Sequence, residues 1–399
     1  MSKPLSGLKI IDLTHMLSGP YGSMILSDMG ADTIKVEPLQ GEGTRKLLAK
    51  DPNNSLDGFG AYFITLNRNK RSVAIDLKST EGKELFYQLV GEVDVVINNF
   101  GPGVPKRLGI DYDTLVKHNP KIITCSVTGF GEDGPGHKRP AFDQVAQAFG
   151  GGMSITGTNA DQPQRAGIPI GDLGGGMFAV MGILGAVVER YQSGLGQHID
   201  ISMLDCQVSL LNYMATMHML SGVDPHPIGN GHFVHVPYNS YKTEDGHIIV
   251  AILADEFWQR FKSVTNTPLF DNDKYDEQPG RYADKAFIDS TINEIFATNT
   301  TKYWLTKLEE ARIPCAPVNK FSDVLNDSQV LHRNMVVDIH HPDGKSTKGP
   351  GNPIKMSRSH EDTFTPAPHV GQHTDEVLSE LLNMPVERIE ELRKQGIVN

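Results

Sequence analysis

Short apolar segments alternate with helical segments through the first 126 residues, and this alternation constrains the fold more than any other sequence feature. Leu8–Leu13 has the pattern of a buried strand, Tyr21–Met29 has helical spacing, and Thr33–Glu37 is a second strand. Strand, helix and strand in this order predict neighbouring parallel strands. Because the alternation continues to Lys121–Ser126, we expect an α/β fold with a Rossmann-like, doubly wound parallel sheet.

The turn after the first strand, Thr14–Pro20, is the place where such a sheet binds its ligand. The glycine pattern G-x-G-x-x-G, which marks dinucleotide binding, is absent from this turn. We therefore do not predict NAD as a cofactor.

Length, charge and hydropathy limit the classes of protein that remain. A chain of 399 residues exceeds the usual size of one hydrophobic core, so two domains are expected. The formal net charge of −11 disfavours nucleic acid as the main partner, because nucleic-acid binding requires a basic surface. No uninterrupted apolar run of about 18 residues is present, which predicts that no segment spans a membrane.

Cysteine and histidine usage predicts a reducing compartment and no metal site. Cys125, Cys206 and Cys315 are far apart and match no metal-binding spacing. Such a sparse, odd set suits a reducing compartment, and the N-terminal segment lacks the apolar stretch of a signal peptide, so we expect a cytoplasmic protein. The three histidines within residues 226–237 also fit no common metal site.

One carboxylate, Asp172, stands where an apolar segment meets Gly174, Gly175 and Gly176. Met177–Arg190 follows with apolar residues at helical spacing, so Asp172 is expected near a helix N-terminus. Two interpretations are open. Asp172 is an ordinary N-cap and the glycines serve helix packing, or Asp172 is a carboxylate nucleophile with backbone N–H groups behind it.

The strongest basic cluster in this acidic chain is Asn67–Ser72, which contains Lys70 and Arg71. It is either a solvated turn or a phosphate clamp, since Lys and Arg are the usual phosphate partners. Further along the chain, Leu204–Leu220 has the character of a connecting helix rich in Met, and composition changes near residue 225. This change predicts a second domain over about residues 225–330.

Seven short segments follow one another at a familiar spacing over nearly the whole chain. They are Gly7–His15, Gly30–Glu37, Asn67–Ser72, Asn99–Gly103, Gly129–Pro135, Gly171–Leu173 and Tyr241–Gly246. Each is weak alone. Together they resemble the class III coenzyme A transferases, the family of formyl-CoA, carnitine-CoA and related transferases.

The resemblance implies an interlocked homodimer whose large domain is built from both chain ends. Residues 1–200 and 331–399 would form this Rossmann-like, CoA-binding domain. Residues 201–224 would form a connecting helix, and residues 225–330 a smaller α+β domain.

The resemblance also implies which residues form the active site. Asp172 would be the nucleophile, and the N–H groups of Gly174, Gly175 and Gly176 would stabilise the developing oxyanion. Coenzyme A would contact His15, Met16, Ser18, Lys70, Arg71, Asn98, Asn99, Phe100, Arg107, His137 and Lys138. A substrate loop over the site would consist of Gly229, Asn230 and Gly231.

The implied reaction moves CoA from a donor acyl-CoA to a free carboxylic acid through an aspartyl anhydride and an aspartyl-CoA thioester. CoA thioesters are then substrates, and no tightly bound cofactor is expected. His137, Lys138 and Arg139 favour a second carboxylate on the substrate, which points to succinyl-CoA and a small dicarboxylic acid. Alternatively, these cations hold CoA phosphates or face solvent.

Two further functions are open. An α-methylacyl-CoA racemase of the same fold needs an Asp and a His as bases, and the racemases carry that His just before an Asp. Phe142 stands at this position, before Asp143, and disfavours the racemase. A non-catalytic acyl-CoA-binding protein would keep the glycines and cations but would give Asp172 no role.

Overall fold

The structure is a computed structural model and describes residues 3–359 and 364–399. Its strands are β1 (Lys9–Asp12), β2 (Asp32–Glu37), β3 (Ser55–Leu56), β4 (Phe59–Gly60), β5 (Lys70–Ala74), β6 (Val95–Asn98), β7 (Ile123–Thr128), β8 (His198–Ser202), β9 (Tyr238–Lys242), β10 (His247–Ala251), β11 (Cys315–Pro317), β12 (Val336–His340) and β13 (Ser346–Pro350). Its α-helices are α1 (Ser18–Asp28), α2 (Ala61–Leu66), α3 (Thr80–Gly91), α4 (Val104–Leu108), α5 (Tyr112–Leu115), α6 (Asp143–Phe149), α7 (Gly152–Ile155), α8 (Ile170–Ser193), α9 (Met203–Leu211), α10 (Tyr213–Ser221), α11 (Asp255–Thr265), α12 (Gln278–Ala283), α13 (Lys285–Phe296), α14 (Thr301–Glu310), α15 (Phe321–Val324), α16 (Ser328–His332), α17 (Thr374–Leu382) and α18 (Val386–Lys394).

The largest sheet has six strands in the order β5-β2-β1-β6-β7-β8, and every neighbouring pair is parallel. Doubly wound sheets have this strand order, and their ligands bind where the order reverses, here between β1 and β6. The predicted fold class, a mixed α/β fold with a large parallel sheet, is confirmed. The interlocked dimer stays a prediction.

Helices cover both faces of this sheet, because successive side chains of a strand point to opposite sides. On β1, Ile11 belongs to a core that includes α3, α17 and α18, whereas Ile10 belongs to a core that includes α1 and α8. From the C-terminal helices, Leu378 and Ile389 are fully buried in the first core. Each such side chain contributes about 1.5–3 kcal/mol of transfer free energy, so the C-terminal segment is held against the N-terminal strands.

The chain forms two compact units. The first comprises the described residues up to Gly152, Arg165–Gly222 and the described residues from Gln329 onward. The second comprises Met153–Gln164 and Val223–Ser328. The predicted small domain, residues 225–330, did not include Met153–Gln164. This segment belongs to the second unit although it is distant in sequence from the rest of that unit.

The second unit has its own antiparallel sheet, in the order β11-β10-β9. Helices α11, α13 and α14 contribute to a core that contains Trp258, Phe261 and Phe296, with Trp258 and Phe296 fully buried. Large aromatic side chains such as these dominate the apolar area that a small unit removes from water.

Two helices differ from their predicted extents. Helix α8 begins at Ile170, before the predicted start at Met177. The predicted connecting helix is two helices, α9 and α10, which meet at Asn212 with a φ of 49°. Because Asn adopts positive φ more readily than most residues, the interruption falls at this position.

Among the described residues, α8 is long and apolar enough to cross a membrane, as judged by length and composition alone. Core helices of proteins outside membranes meet the same criteria, and half of the apolar window of α8 is buried. The absence of a membrane span therefore stays a prediction.

Candidate active site

The Asp172 side chain lies in the first turn of α8, and a different aspartate caps that helix. The N-cap position is Pro169, which makes no side-chain capping bond. Oδ1 of Asp143 accepts the backbone N–H of Gly171 at 2.8 Å and that of Asp172 at 3.3 Å, and its Oδ2 accepts the Gln147 side-chain amide at 2.8 Å. The N-cap interpretation of Asp172 is therefore wrong, and Asp143 leaves the Asp172 carboxylate available for other contacts.

The surroundings of Asp172 make its carboxylate unusually basic. Burial and, to a smaller extent, the negative charge of Asp143 together raise the pKa of Asp172 to about 6. Burial removes water from the ionised form, and like charges repel, so both effects favour the neutral acid. At pH 7 most Asp172 side chains are still ionised, which is the form needed for a nucleophile.

The three predicted catalytic glycines lie inside α8. From the fifth residue of a helix, each N–H donates to the carbonyl four residues earlier, so Gly174, Gly175 and Gly176 have none to offer an oxyanion. A Cβ on Gly175 would lie 2.6 Å from Oγ of Ser18, and one on Gly176 would lie 2.5 Å from the Ser18 carbonyl oxygen. Their predicted role is therefore corrected: these glycines allow α1 and α8 to pack closely.

Asp172 lines a cavity of about 230 Å³ beside the carboxyl ends of the parallel strands. The structure brings several predicted site residues together around this cavity: His15, Met16, Ser18, Asn99, Phe100, Lys138 and Asp172. Asn99 joins the loops after β1 and β6, because its Oδ1 accepts the His15 N–H at 2.9 Å and its amide donates to the His15 carbonyl at 2.7 Å. The cavity therefore lies where the strand order reverses.

Two polar side chains that line this cavity, His15 and Ser18, are uncharged at neutral pH. Burial and the positive charge of Lys35 lower the pKa of His15, which is therefore neutral at pH 7. The His15 ring lies 5.5 Å from the Phe100 ring, centroid to centroid. The hydroxyl of Ser18 is buried and has no hydrogen-bond partner among the described residues.

A larger cavity, of about 590 Å³, shares His15 and Phe100 with the Asp172 cavity. Its other walls come mainly from the end of β2 and the loop after it, residues 36–43, and from the loop after β5, residues 75–78. Ligand pockets typically measure about 300–1,000 Å³, so this cavity suits a sizeable small molecule. We did not predict these loops as binding segments, although each follows a parallel strand whose carboxyl end faces the ligand-binding edge.

Lys70 lines neither cavity. Its ammonium group is buried and donates to Oδ2 of Asp12 at 2.8 Å and to Oγ of Ser23 at 2.8 Å. Burial alone would raise the pKa of Asp12, but the charges of Lys70 and Lys35 lower it below its usual range. Because contact with a phosphate would break this buried ion pair, the placement argues against the predicted role of Lys70.

Several other predicted residues line neither cavity: Arg71, Asn98, Arg107, His137, Gly229, Asn230 and Gly231. Arg71 forms ion pairs with Asp32, Glu376 and Glu380, which argues against its predicted role in binding phosphate. Asn98 lines a separate cavity and donates to Oγ of Ser126 at 3.1 Å. The three residues of the predicted substrate loop belong to the second unit.

Asp143, which accepts the N–H groups of Gly171 and Asp172, and Tyr62, which is close enough to Asp172 to feel its charge, were not predicted as site residues. Burial, followed by the negative charges of Asp172 and Asp143, raises the pKa of Tyr62 to about 12. Its hydroxyl is therefore protonated at neutral pH and able to donate a hydrogen bond. No sequence signal marks Tyr62, which lies within the short apolar helix α2, whereas Asp143 was visible as the acid next to Phe142.

Arg139 also lines the Asp172 cavity, together with Lys138 and Phe142. Its guanidinium carbon lies 5.7 Å from the ring centre of Phe130 and 5.4 Å from that of Phe149. Among the described residues it has no ion-pair partner. Aromatic rings on this side hold the guanidinium without neutralising it, so Arg139 remains able to bind a carboxylate.

Comparisons with known proteins agree with this architecture. Residues 5–374 match CoA-transferase family III. The chain is 34% identical over 398 residues to the succinyl-CoA:glutarate CoA-transferase of Mus musculus, covering 99% of this chain and 90% of that protein. It is 36% identical over 386 residues to the succinyl-CoA:mesaconate CoA-transferase of Haloarcula hispanica, covering 94% of this chain and 96% of that protein.

A solved structure shares the fold over almost the entire chain. The crystal structure of a CAIB/BAIF family protein from Brucella suis matches with a TM-score of 0.85 and 33% sequence identity. The match covers 96% of this chain and 100% of that one. The chain belongs to CoA-transferase family III and is an enzyme of the CoA-transferase class.

Proposed function

We propose that this enzyme moves coenzyme A from a donor acyl-CoA to a free carboxylic acid, with Asp172 as the nucleophile. One observation carries the proposal. The Asp172 carboxylate lines a cavity at the ligand-binding edge of the sheet, and its pKa is raised to about 6. A basic carboxylate with accessible space before it can attack a thioester carbonyl.

In the first half of the reaction, an Asp172 oxygen attacks the thioester carbonyl carbon of the donor. A C–O bond forms and the C–S bond breaks, which gives an acyl-aspartyl anhydride and the CoA thiolate. The thiolate then attacks the aspartyl carbonyl carbon and breaks its bond to the bridging oxygen. The donor acid leaves as a carboxylate, and an aspartyl-CoA thioester remains.

In the second half, an acceptor carboxylate repeats these steps in reverse order. It attacks the aspartyl-CoA carbonyl and releases the thiolate, which then attacks the acceptor side of the new anhydride. The products are the new acyl-CoA and free Asp172. No net proton transfer is needed, and each covalent step exchanges one activated acyl bond for another of similar energy.

In this proposal, Asp143 and Tyr62 assist the reaction at Asp172. Asp143 fixes the first turn of α8 through the N–H groups of Gly171 and Asp172 and keeps the nucleophile basic. Tyr62, whose hydroxyl is protonated at neutral pH and whose pKa is raised by the charges of Asp172 and Asp143, is the candidate donor to the oxyanion that forms during each attack. Donors of this kind contribute on the order of 3 kcal/mol to the transition state.

We assign coenzyme A to the two cavities that share His15 and Phe100. The larger one accommodates the nucleotide end, and the thioester reaches Asp172 past the two shared rings. Lys78 in the larger cavity is a candidate phosphate partner in place of Lys70 and Arg71, whereas Lys138 lies in the smaller cavity near the acyl end of coenzyme A.

We further propose succinyl-CoA as donor and a small dicarboxylic acid as acceptor. The two relatives above are named for succinyl-CoA with glutarate and with mesaconate as acceptors. Arg139, which has no ion-pair partner among the described residues, lines the Asp172 cavity and would bind the carboxylate that does not react.

The test is mass spectrometry of the CoA products. Purified enzyme is mixed with succinyl-CoA and a panel of mono- and dicarboxylic acids, with D172A alongside. New thioesters of dicarboxylic acids, made by the wild type and not by D172A, are expected. Consumption of succinyl-CoA without any new thioester would contradict the transferase proposal.

The substrate assignment has its own test. A charge-assisted hydrogen bond contributes about 1.5–3 kcal/mol, so R139A is expected to raise the KM for dicarboxylic acceptors by roughly 10- to 100-fold. The KM for a monocarboxylic acceptor serves as the control and should change little. Equal changes for both kinds of acceptor would contradict a role in recognising the second carboxylate.

We also propose a homodimer in a reducing compartment such as the cytoplasm. All three cysteines are free, which suits that compartment. Exposed apolar side chains on α8 and α10, including Tyr191 and Leu220, would be covered by the second copy. The predicted closure of Gly229, Asn230 and Gly231 over the site is part of the same proposal.

A further inference from the structure

His341, Asp343 and His369 lie together outside the two cavities assigned to coenzyme A. One potential ligand atom from each residue lies within 4.8 Å of the others. His341 follows β12, Asp343 is in the turn between β12 and β13, and His369 is in the segment before α17. The cluster thus joins two segments that are adjacent in space and separated in sequence.

Asp343 stands between the two imidazole rings at distances that are long for hydrogen bonds. Its Oδ2 lies 3.4 Å from Nδ1 of His341, and its Oδ1 lies 3.6 Å from Nε2 of His369. Hydrogen bonds from N–H to O normally measure about 2.7–3.2 Å. Two ligands held by one Zn²⁺ at about 2.0–2.1 Å and a tetrahedral angle lie roughly 3.3–3.4 Å apart. The two separations from Asp343 are closer to those around a metal ion than to hydrogen bonds, and because the cluster as a whole spans up to 4.8 Å, binding would draw the side chains together.

The imidazole of His341 is buried and incompletely satisfied. Its Nδ1 accepts the backbone N–H of Asp343 at 3.1 Å, and its Nε2 has no hydrogen-bond partner among the described residues. Because Nδ1 accepts a hydrogen bond, the ring proton lies on Nε2, so the Nδ1 lone pair is the one that would bind an ion, in place of the Asp343 N–H. The Phe59 ring packs against both imidazoles, at 4.5 Å from His341 and 5.0 Å from His369, and restrains them.

We propose that His341, Asp343 and His369 bind one divalent transition-metal ion, such as Zn²⁺ or Co²⁺. Two imidazoles and one carboxylate suit these ions, whereas Ca²⁺ and Mg²⁺ prefer oxygen ligands throughout. Water takes the fourth position, because the Asp343 and His369 side chains are 64% and 46% exposed. This exposure also gives the ion its path of entry.

The bound ion would restrain residues that line the larger cavity. The segment that contains His369 also contains Pro368, whose carbonyl accepts from Nη1 of Arg45 at 2.8 Å. Arg45 pairs with Glu37 at 2.6 Å, and Glu37 lines the larger cavity. Fixing this segment to the β12–β13 turn would therefore limit movement of the Arg45–Glu37 pair.

The experiment is calorimetric titration of the chelator-treated full chain with ZnCl₂. The wild type should bind one Zn²⁺ per chain, and H369A and D343N should weaken that binding at least tenfold. H340A is the matched control, because His340 is an exposed neighbour outside the cluster, and it should bind as the wild type does. The two test residues are partly exposed, so folding should persist, and circular dichroism of each variant verifies this.

A second measurement reports the geometry directly. Co²⁺ added to the wild type should give the strong visible absorption of a tetrahedral site, and H369A should lose it. No stoichiometric Zn²⁺ binding by the wild type would overturn the proposal. Equal affinity of the wild type, H369A and D343N would also overturn it, because the ion would then be held by other side chains.

Discussion

At the scale of single residues, the basicity of Asp172 comes from burial and from a second carboxylate, Asp143. The attacking form is the ionised one, so protonation removes activity. We expect kcat/KM for succinyl-CoA to fall about tenfold per pH unit below a pH of about 6. The measurement is the initial rate of transfer at low substrate between pH 4.5 and pH 8.

The variant D143N identifies the source of this pH dependence. The Asn amide oxygen can still accept the N–H of Gly171, but the repelling charge is gone, so the pKa of Asp172 should fall. The inflection in kcat/KM should move to lower pH. An inflection in the wild type near pH 4, or one that D143N leaves in place, would show that Asp172 does not control the rate in this way.

The raised pKa of Asp172 also predicts how the stability of the folded protein depends on pH. Because the pKa of Asp172 is higher in the folded protein than the ordinary 3.8, its stabilising contribution is complete below about pH 4 and is lost as pH rises through about 6. D172N removes this loss and should raise the free energy of unfolding by on the order of 1–2 kcal/mol at pH 7.5. Calorimetric melting at pH 7.5 and pH 5 measures it, and a gain that does not shrink at pH 5 would refute the explanation.

The basic cluster shows why residue roles are hard to predict from sequence. Arg68, Lys70 and Arg71 are adjacent, and charged side chains are rarely buried, so a phosphate clamp was a reasonable hypothesis. Each instead pairs with a carboxylate about 40 or more residues away: Asp28, Asp12 and Asp32. Only the folded sheet brings these partners together. Asp172, by contrast, could be identified from the local sequence, because it is a single acidic residue just before three glycines.

At the scale of elements, the contact between α1 and α8 positions Asp172. A Cβ at residue 176 would lie 2.5 Å from a backbone oxygen of α1, so G176A should separate the helices and destabilise the protein by about 1–3 kcal/mol. G185A is the matched control on the same helix, since a Cβ there meets nothing within 4 Å. It should be neutral or stabilise by up to about 1 kcal/mol through helix propensity. Urea unfolding compares them, and equal stabilities would contradict the packing role.

The start of α8 could not be predicted because local propensity and packing disagree there. Three consecutive glycines disfavour a helix, which placed the predicted start after them. In the protein the missing side chains permit close approach to α1, and Asp143 supplies the cap that Pro169 lacks. The strand pattern was easier to predict, because alternation of apolar segments does not depend on distant partners.

At the scale of the whole molecule, exposed apolar surface on α8–α10 predicts dimerisation. Tyr191 and Leu220 are each 84% exposed, which is costly for a chain that stays monomeric. Sedimentation should give twice the 43.8 kDa mass of one chain, and L220E should weaken or abolish the dimer. V386E, which alters an exposed apolar residue on α18, should remain dimeric. A wild-type monomer at micromolar concentration would contradict the prediction.

The overall fold was more predictable than the groups that depend on tertiary contacts. Strand–helix alternation was enough to predict the parallel sheet, and the carboxyl ends of its strands indicated the position of the cavities. Nothing in the sequence joins His341 to His369, or Met153–Gln164 to the second unit, because these contacts form only on folding. The expectation of no metal site rested on sequence spacing alone, which cannot detect a cluster of this kind.

Covalent modification of Asp172 during turnover is the most direct test of the proposed reaction. The enzyme is mixed with succinyl-CoA, treated with hydroxylamine, digested and examined by peptide mass spectrometry. Attack of hydroxylamine on the activated aspartyl carbonyl should leave a hydroxamate on Asp172, only when acyl-CoA is present and not in D172N. Full transfer activity with Asp172 unmodified, or a hydroxamate on another residue instead, would contradict Asp172 as the nucleophile.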